Sequence, residues 1–177
     1  MTERQFYDWQ TAGGGDDVSR LVAALEQMNI PWCMIGGLAV NHWAAEPLAT
    51  ADVDLVIAAS RVEEAVAALE SAGFRSKRFE WSINLTGASH VSVQISTESF
   101  YHEFPARAVT ADVHGIAMRV ASLDDTLAGK IAAWSDHSRR PSKRQKDFLD
   151  ILRLVESHPQ LETSLTPELQ RRIEEVR

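Results

Sequence analysis

The sequence predicts an α/β (α+β) fold, a mixed β-sheet flanked by helices with further helices at its C-terminus. Three observations predict it. Short apolar runs alternate with helical periodicities from Asp17 to Phe79. His90 to Ser96 switches between apolar and polar side chains at every residue, and helical spacings dominate after Ser122. Alternation of that kind builds a sheet covered by helices. At 177 residues the chain suits one domain with a sizeable core. It divides into an N-terminal arm at 1–16, the folded domain at 17–162 and a C-terminal helical tail at 163–177.

In chain order, Phe6, Tyr7 and Trp9 precede Gly13-Gly14-Gly15, which reads as a peripheral arm on a flexible joint. Its aromatics could dock on the domain or on a partner. Val18, Leu21, Val22, Leu25 and Met28 then follow helical spacing, with Asp16 or Asp17 as N-cap. Trp32 to Ile35 is a short apolar run ended by Gly36-Gly37, a buried strand feeding a tight turn, and Leu38 to Trp43 is a short helix. Asp52-Val53-Asp54 opens the next apolar run. Ser60-x-x-Glu63 forms a capping box, so a helix should start at Ser60, bury Val62, Ala65, Val66 and Leu69, and end at Gly73. Phe74 to Phe79 and His90 to Ser96 are strands. Ala111 to Val120 is two strand halves about a turn at Gly115, or one strand with a bulge. Ser122 caps a helix reaching Trp134, and Pro141 precedes another that closes at His158-Pro159. Pro167 to Val176 should be a short exposed terminal helix.

The chemistry concentrates between Met34 and Ala58. Glycines at 36 and 37 let a ligand approach the backbone. Amides of Gly37 and Leu38 at a helix start, aided by the helix dipole, favour an anion such as a triphosphate. Asp52 and Asp54 are two residues apart, so in a strand both carboxylates point to one face while Val53, Leu55 and Ile57 point to the other. Such a pair repels itself unless a hard cation sits between. Mg²⁺ characteristically takes one or two carboxylates plus substrate phosphates. The plainer alternative for Asp-x-Asp is a solvent-facing strand start.

A second concentration of charge lies downstream. Leu123, Leu127, Ile131 and Trp134 form an apolar stripe, and Lys130 borders it, where it either snorkels or contacts a phosphate or carboxylate. Lys143, Lys146, Asp147 and Asp150 share one helical face beside the apolar face of Phe148, Ile151, Leu152 and Val155. Arg139, Arg140, Lys143 and Arg144 put four cations within six residues of an otherwise acidic chain. That cluster suits a nucleotide triphosphate or an RNA end, with Asp147 and Asp150 orienting Lys143 and Lys146. A solvated, salt-bridged helix face is the alternative.

Taken together, Gly36-Gly37, fourteen intervening residues and Asp52-Val53-Asp54 with its apolar run resemble the signature of the nucleotidyltransferase superfamily. Ser122-Leu123-Asp124-Asp125 with Lys130, and Lys143 to Asp150, are similar to the distal motifs of its AbiEii-like abortive-infection toxin branch. The resemblance runs from about Ile30 to Leu161. It implies a nucleotidyltransferase-like fold, a nucleoside triphosphate, Mg²⁺ or Mn²⁺ on Asp52 and Asp54, and transfer of a nucleotidyl group to an RNA or protein hydroxyl. It also implies a toxin with an antitoxin partner. Gly36, Gly37, Lys143, Lys146 and Asp147 would bind the nucleotide; Asp52, Asp54, Gln94 and Lys130 would form the catalytic set. One departure stands out. Such enzymes generally carry a third carboxylate on the strand where this chain has Gln94, and no Asp or Glu occurs between Glu80 and Glu98. An amide oxygen can ligate a cation, yet it cannot accept a proton as a general base. Chemistry then falls to the metal alone or to Glu80 or Glu98. A relative without catalysis, keeping the pocket as a sensor or interaction module, is the second reading.

Composition narrows the remaining classes. A formal charge of −7 and a pI near 5.3 argue against a broadly basic nucleic-acid-binding surface. The single Cys33 lies in an apolar run, so no disulfide framework exists and a cytoplasmic setting is expected. No stretch is apolar enough to span a membrane. His90, His102 and His114 match no zinc-ligand spacing, and Trp81 either stacks on a nucleobase or, more simply, caps the sheet with its apolar ring.

Overall fold

The computed structural model describes Thr2, Arg4, Gln5, Tyr7, Asp8 and residues 13–177. Within them one seven-stranded mixed sheet contains β1 (Trp32–Ile35), β2 (Asp52–Ile57), β3 (Arg75–Arg78), β4 (Ser82–Thr86), β5 (Ser92–Ser96), β6 (Val109–Val113) and β7 (Ile116–Val120). The spatial order is β3-β4-β5-β2-β1-β7-β6. β2 runs parallel to β5 and antiparallel to β1, which itself runs parallel to β7. The helices are α1 (Gly14–Gln27), α2 (Gly36–Trp43), α3 (Val62–Ser71), α4 (Leu123–Ser135), α5 (Pro141–Ser157) and α6 (Pro167–Glu174).

The two-residue period of β2 sorts its side chains. Val53, Leu55 and Ile57 pack with Ile83, Leu85, Val93 and Ile95 under Val18, Leu21 and Leu25 of α1 and Ala65, Val66 and Leu69 of α3. Each fully buried Leu or Ile there contributes about 1.5–3 kcal/mol. On the opposite face, Cys33 and Val56 pack with Phe104 and Ala121, leaving Asp52 and Asp54 beyond that cluster. Burial, with Asp125 nearby, pushes the Cys33 thiol up to about 12, so it serves as a small hydrophobe.

A second core lies among the helices. Val40 of α2 meets Leu127 of α4, Phe148, Ile151, Leu154 and Val155 of α5, and Leu169 and Ile173 of α6. The terminal helix is therefore amphipathic and packed, which corrects the expectation of an exposed tail. Trp43 Nε1 donates to the Ala121 carbonyl at 3.0 Å, joining this core to the sheet.

Other local expectations change for identifiable reasons. The capping box at Ser60 does not form. Ala59–Arg61 is a 3₁₀ turn, α3 starts at Val62, and Arg61 turns to the Glu64 carboxylate and the Met28 carbonyl. Gly14 and Gly15 are not a joint, because α1 begins at Gly14, and Gly15 N–H donates to the Asp8 carboxylate at 2.8 Å. Asp17 caps no helix end; its buried carboxylate accepts from the amide and hydroxyl of Ser89. Tyr7 lies in the main core with its ring stacked on His114, 4.9 Å between centroids. Phe6 and Trp9 lie outside the described residues. The segment 111–120 resolves into the two-strand alternative, with positive φ at His114 and Gly115 in the turn. Trp81, expected as a cap over the sheet, is 59% exposed.

Candidate active site

Gly36 joins β1 to α2 at φ +71°, a conformation that L side chains rarely adopt. A Cβ there would collide with the Asp54 carboxylate, reaching within 3.0 Å of its Cγ. The glycine thus lets the α2 N-terminus close directly on the acid. Gly37 and Leu38 occupy the first turn of α2, whose amides have no partner within the helix. In register, Asp54 lies opposite Ile35 of β1 and Gln94 of β5, and Asp52 opposite Ser92. Asp52, Asp54 and Gln94 therefore share one sheet face, and all three line a cavity of about 420 Å³.

Burial and the neighbouring Asp52 charge push the Asp54 carboxyl above its ordinary range, while Lys130, Lys146 and Lys143 pull it back. Two carboxylates of which one resists ionisation fit a hard divalent cation, because the cation would remove both the desolvation penalty and the mutual repulsion. The Gln94 amide is the neutral polar group across from Asp54. Among the described residues no cluster of three or more His, Cys, Asp or Glu side chains forms a metal site.

The cavity lining is also strongly cationic. Arg139 and Arg140, Lys143 and Lys146 at the start of α5 line the same cavity. Lys143 and Lys146 are exposed, and neither has a carboxylate partner among the ion pairs of the described residues.

Lys130 is different. Its ammonium, nearly buried, stands 3.0 Å from Asp147 Oδ1 and 2.7 Å from Asp150 Oδ2. Burial alone would lower its pKa; Asp150 and Asp147 outweigh that and raise it. Arg139 takes the second Asp147 oxygen at 3.2 Å and Arg153 the second Asp150 oxygen at 3.0 Å. Asp147 and Asp150 therefore orient Lys130, Arg139 and Arg153, not Lys143 and Lys146 as their shared helix face suggested. Both Asp147 oxygens are thus engaged by cations of the chain itself. Arg153 continues to Asn41 Oδ1 at 2.8 Å and the Glu46 carbonyl at 2.6 Å, and Asn41 exchanges hydrogen bonds with the Leu48 backbone. The array thereby fixes the loop between α2 and β2 that delivers Asp52.

Among the further wall residues, Tyr101 carries no sequence signal, whereas Glu98 and Asp125 do. Tyr101 and Glu98 line the cavity beyond β5, and burial, then Glu98, pushes the Tyr101 phenol up to about 12. Asp125 receives two 2.9 Å hydrogen bonds from Arg107 and borders the same space. The Asn41–Arg153 contact spans 112 residues and follows no motif.

Residues 39–177 match the family described as the nucleotidyl transferase AbiEii toxin of type IV TA systems. The chain belongs to that family. Its fold is the nucleotidyltransferase fold. Solved structures it resembles include an antigenic nucleotidyltransferase-like protein from Paracoccidioides brasiliensis, at 21% identity and TM-score 0.55 over 90% of this chain and 86% of that one. The lincosamide antibiotic adenylyltransferase LnuA, lincomycin-bound, aligns at 11% identity and TM-score 0.54, covering 78% of this chain and 96% of that one. ANT(2'')-Ia in complex with adenylyl-2''-tobramycin aligns at 18% and 0.54, covering 89% and 95%. Identities this low establish a shared fold and leave substrates open. No curated protein matches the sequence. No helix of the described residues is long and apolar enough to cross a membrane.

Proposed function

We propose that this AbiEii-family chain is a metal-dependent nucleotidyltransferase that moves the nucleotidyl group of a nucleoside triphosphate onto an acceptor hydroxyl, as the toxin of a toxin–antitoxin pair. The observation that carries this reading is one cavity lined both by Asp52 and Asp54 and by Arg139, Arg140, Lys143 and Lys146. A triphosphate has the charge to bridge them. Electrostatic positioning of this kind supplies most of phosphoryl-transfer catalysis. The toxin role rests on the family description.

Asp52 and Asp54 would hold Mg²⁺ or Mn²⁺, with the Gln94 amide oxygen as a further donor. When bound, such an ion neutralises phosphate charge and acts as a Lewis acid on the transferred group. The remaining work falls to the chain. The first-turn amides of α2 at Gly37 and Leu38 face the phosphates, and Lys143 and Lys146 offset their charge. Lys130, Asp147 and Asp150 position the cationic wall. The acceptor oxygen forms a bond to the α-phosphorus as the bond from that phosphorus to its bridging oxygen breaks, and pyrophosphate leaves. The acceptor proton passes to Glu98. Of the cavity carboxylates outside the Asp52–Asp54 pair, Asp125 and Asp147 are held by cations and Glu98 is not, within the described ion pairs. Glu80 does not line the cavity.

The test is a calorimetric titration of each nucleoside triphosphate, with and without Mg²⁺ or Mn²⁺, into wild type and an Asp52→Asn, Asp54→Asn double variant. Metal-dependent binding that disappears in the variant is the expected result. A wild type that binds none of the nucleotides would overturn the enzyme reading and favour an interaction module.

A further inference from the structure

The cavity contains a nucleophile of its own, the Tyr101 hydroxyl. The Tyr101 ring meets Phe100 and Phe104 edge to face, with centroids 5.0 Å and 5.2 Å away. It also packs on α4, where a Cβ added to Gly129 would stand 3.4 Å from Tyr101 Cε1. Cε1 adjoins the carbon that bears the hydroxyl. The hydroxyl end of the ring therefore lies against α4 one residue before Lys130, in the lining of the cavity that Asp52 and Asp54 share.

Three observations give this phenol a chemistry. Its hydroxyl has no hydrogen-bond partner among the described residues, whereas the Thr126 hydroxyl of the same lining donates to the Ala121 carbonyl at 3.3 Å. Next, Glu98 opens the 3₁₀ turn Ser99–Tyr101, and the Tyr101 amide donates to the Glu98 carbonyl at 3.2 Å. Side chains three residues apart eclipse in such a turn, so the Glu98 carboxylate and the Tyr101 ring project from one side of it. Last, the phenol feels the charges of Arg139, Asp147 and Asp54 besides that of Glu98, which puts it within electrostatic reach of both the acid pair and the cationic lining. Burial and Glu98 keep it protonated up to about 12, so it attacks only with a base at hand. Glu98 is that base.

We propose that the chain transfers a nucleotidyl group to its own Tyr101 when no external acceptor is bound, and that this self-modification shuts the site. The proposal rests on the nucleotidyl-transfer reading above. Tyr101 Oη forms the bond to the α-phosphorus as the bond from that phosphorus to its bridging oxygen breaks. Pyrophosphate leaves, and the phenolic proton passes to Glu98. A hydroxyl fixed within the cavity acts at an effective concentration that no dissolved alcohol reaches, which offsets its weak acidity. The nucleotide then attached to Tyr101 occupies the space that the next nucleoside triphosphate needs. Activity is thereby limited by the chain itself.

The test incubates the full chain with each nucleoside triphosphate and Mg²⁺ or Mn²⁺, without acceptor, and follows its intact mass. One nucleotidyl group per chain should appear, map to Tyr101 in peptide mass spectra, and form at a rate per chain independent of protein concentration. The modified protein should no longer bind nucleotide in calorimetry. Tyr101→Phe keeps the ring against Phe100, Phe104 and Gly129 and should acquire no adduct, and Glu98→Gln should slow labelling by about 10²-fold, the lower range for a positioned base. A wild type that binds nucleotide with metal yet stays unmodified overturns self-transfer alone. So does an adduct confined to another residue such as Ser92 or Thr50, or a rate that climbs with protein concentration. Absence of nucleotide binding in wild type overturns the underlying function instead. Should Tyr101→Phe fail to fold, the peptide map of wild type decides by itself.

Discussion

Gln94 lies directly across from Asp54 on adjacent parallel strands, so the neutral amide occupies the position from which a third carboxylate would complete the acidic site. Replacing Gln94 with Asp should put three carboxylates on one face. In chelator the added repulsion should lower the melting temperature relative to wild type, and Mg²⁺ should reverse the loss. If the missing acid limits the rate, transfer should rise by about 10²-fold, the lower range for a positioned base. Thermal unfolding with and without Mg²⁺, paired with release of pyrophosphate, checks both halves. A variant indifferent to metal in both assays would show that Gln94 does not face the ion.

Lys130 is the hub of a nearly buried array, and its loss leaves two acids short of a cation. Lys130→Met should cost about 3 kcal/mol in urea denaturation, the lower end for breaking a buried pair, because Arg139 and Arg153 still hold Asp147 and Asp150. Adding Asp150→Asn should restore part of that stability. The pKa of Lys130 is raised in the fold, so its contribution is fully present below the ordinary value of 10.5 and disappears as pH rises through the folded value. Wild type should therefore lose stability above that pH faster than Lys130→Met does.

The parts of this site that the sequence makes legible are those carried by local periodicity. The Gly36-Gly37 turn and the two-residue period of Asp52 and Asp54 determine their geometry within a few residues, and the sheet follows from alternation in β2 and β5. Ser122 does cap α4, accepting from the Asp125 amide at 3.1 Å. What escapes is long-range pairing. Asp147 and Asp150 share a helix face with Lys143 and Lys146, and nothing local shows that Lys130, seventeen residues away from Asp147, wins their carboxylates. Burial decides it: α4 packs on α5 and brings Lys130 into a space with little water, where only ion-paired charge is tolerated. Ser60 failed for a related reason, because Arg61 gains a carboxylate and a carbonyl by leaving the helix. The terminal helix packs although only Leu169 and Ile173 are apolar along it, because these two complete a core assembled by other helices.

Asp54 carries a pH signature. Its folded pKa is raised above the ordinary 3.8 by burial and by Asp52. The folded state therefore holds its proton more tightly than the unfolded chain, and stability falls as pH rises from about 3.8 through the folded value. Asp54→Asn removes an acid that the fold ionises reluctantly. In chelator the variant should be more stable than wild type at neutral pH, with the difference shrinking toward pH 4. Mg²⁺ should stabilise wild type and leave the variant nearly unchanged. Equal unfolding curves for the two proteins across this range would place Asp54 in solvent.

Leu169 is fully buried in the core shared by α2, α4, α5 and α6. Leu169→Ala should cost about 2–5 kcal/mol, the transfer term plus the cavity left behind. The consequence reaches the active site through α5. Phe148, Ile151, Leu154 and Val155 form the face on which α6 sits, and the adjacent face of the same helix carries Lys143, Lys146, Asp147 and Asp150. Loosening α6 should therefore weaken nucleotide binding in a protein that is still folded at 25 °C, with Asp52 and Asp54 on β2 intact. Removing residues 163–177 should have the same effect in stronger form. If the truncated chain kept full stability and full nucleotide affinity, α6 would be an appendage, and the second core would have to hold without it.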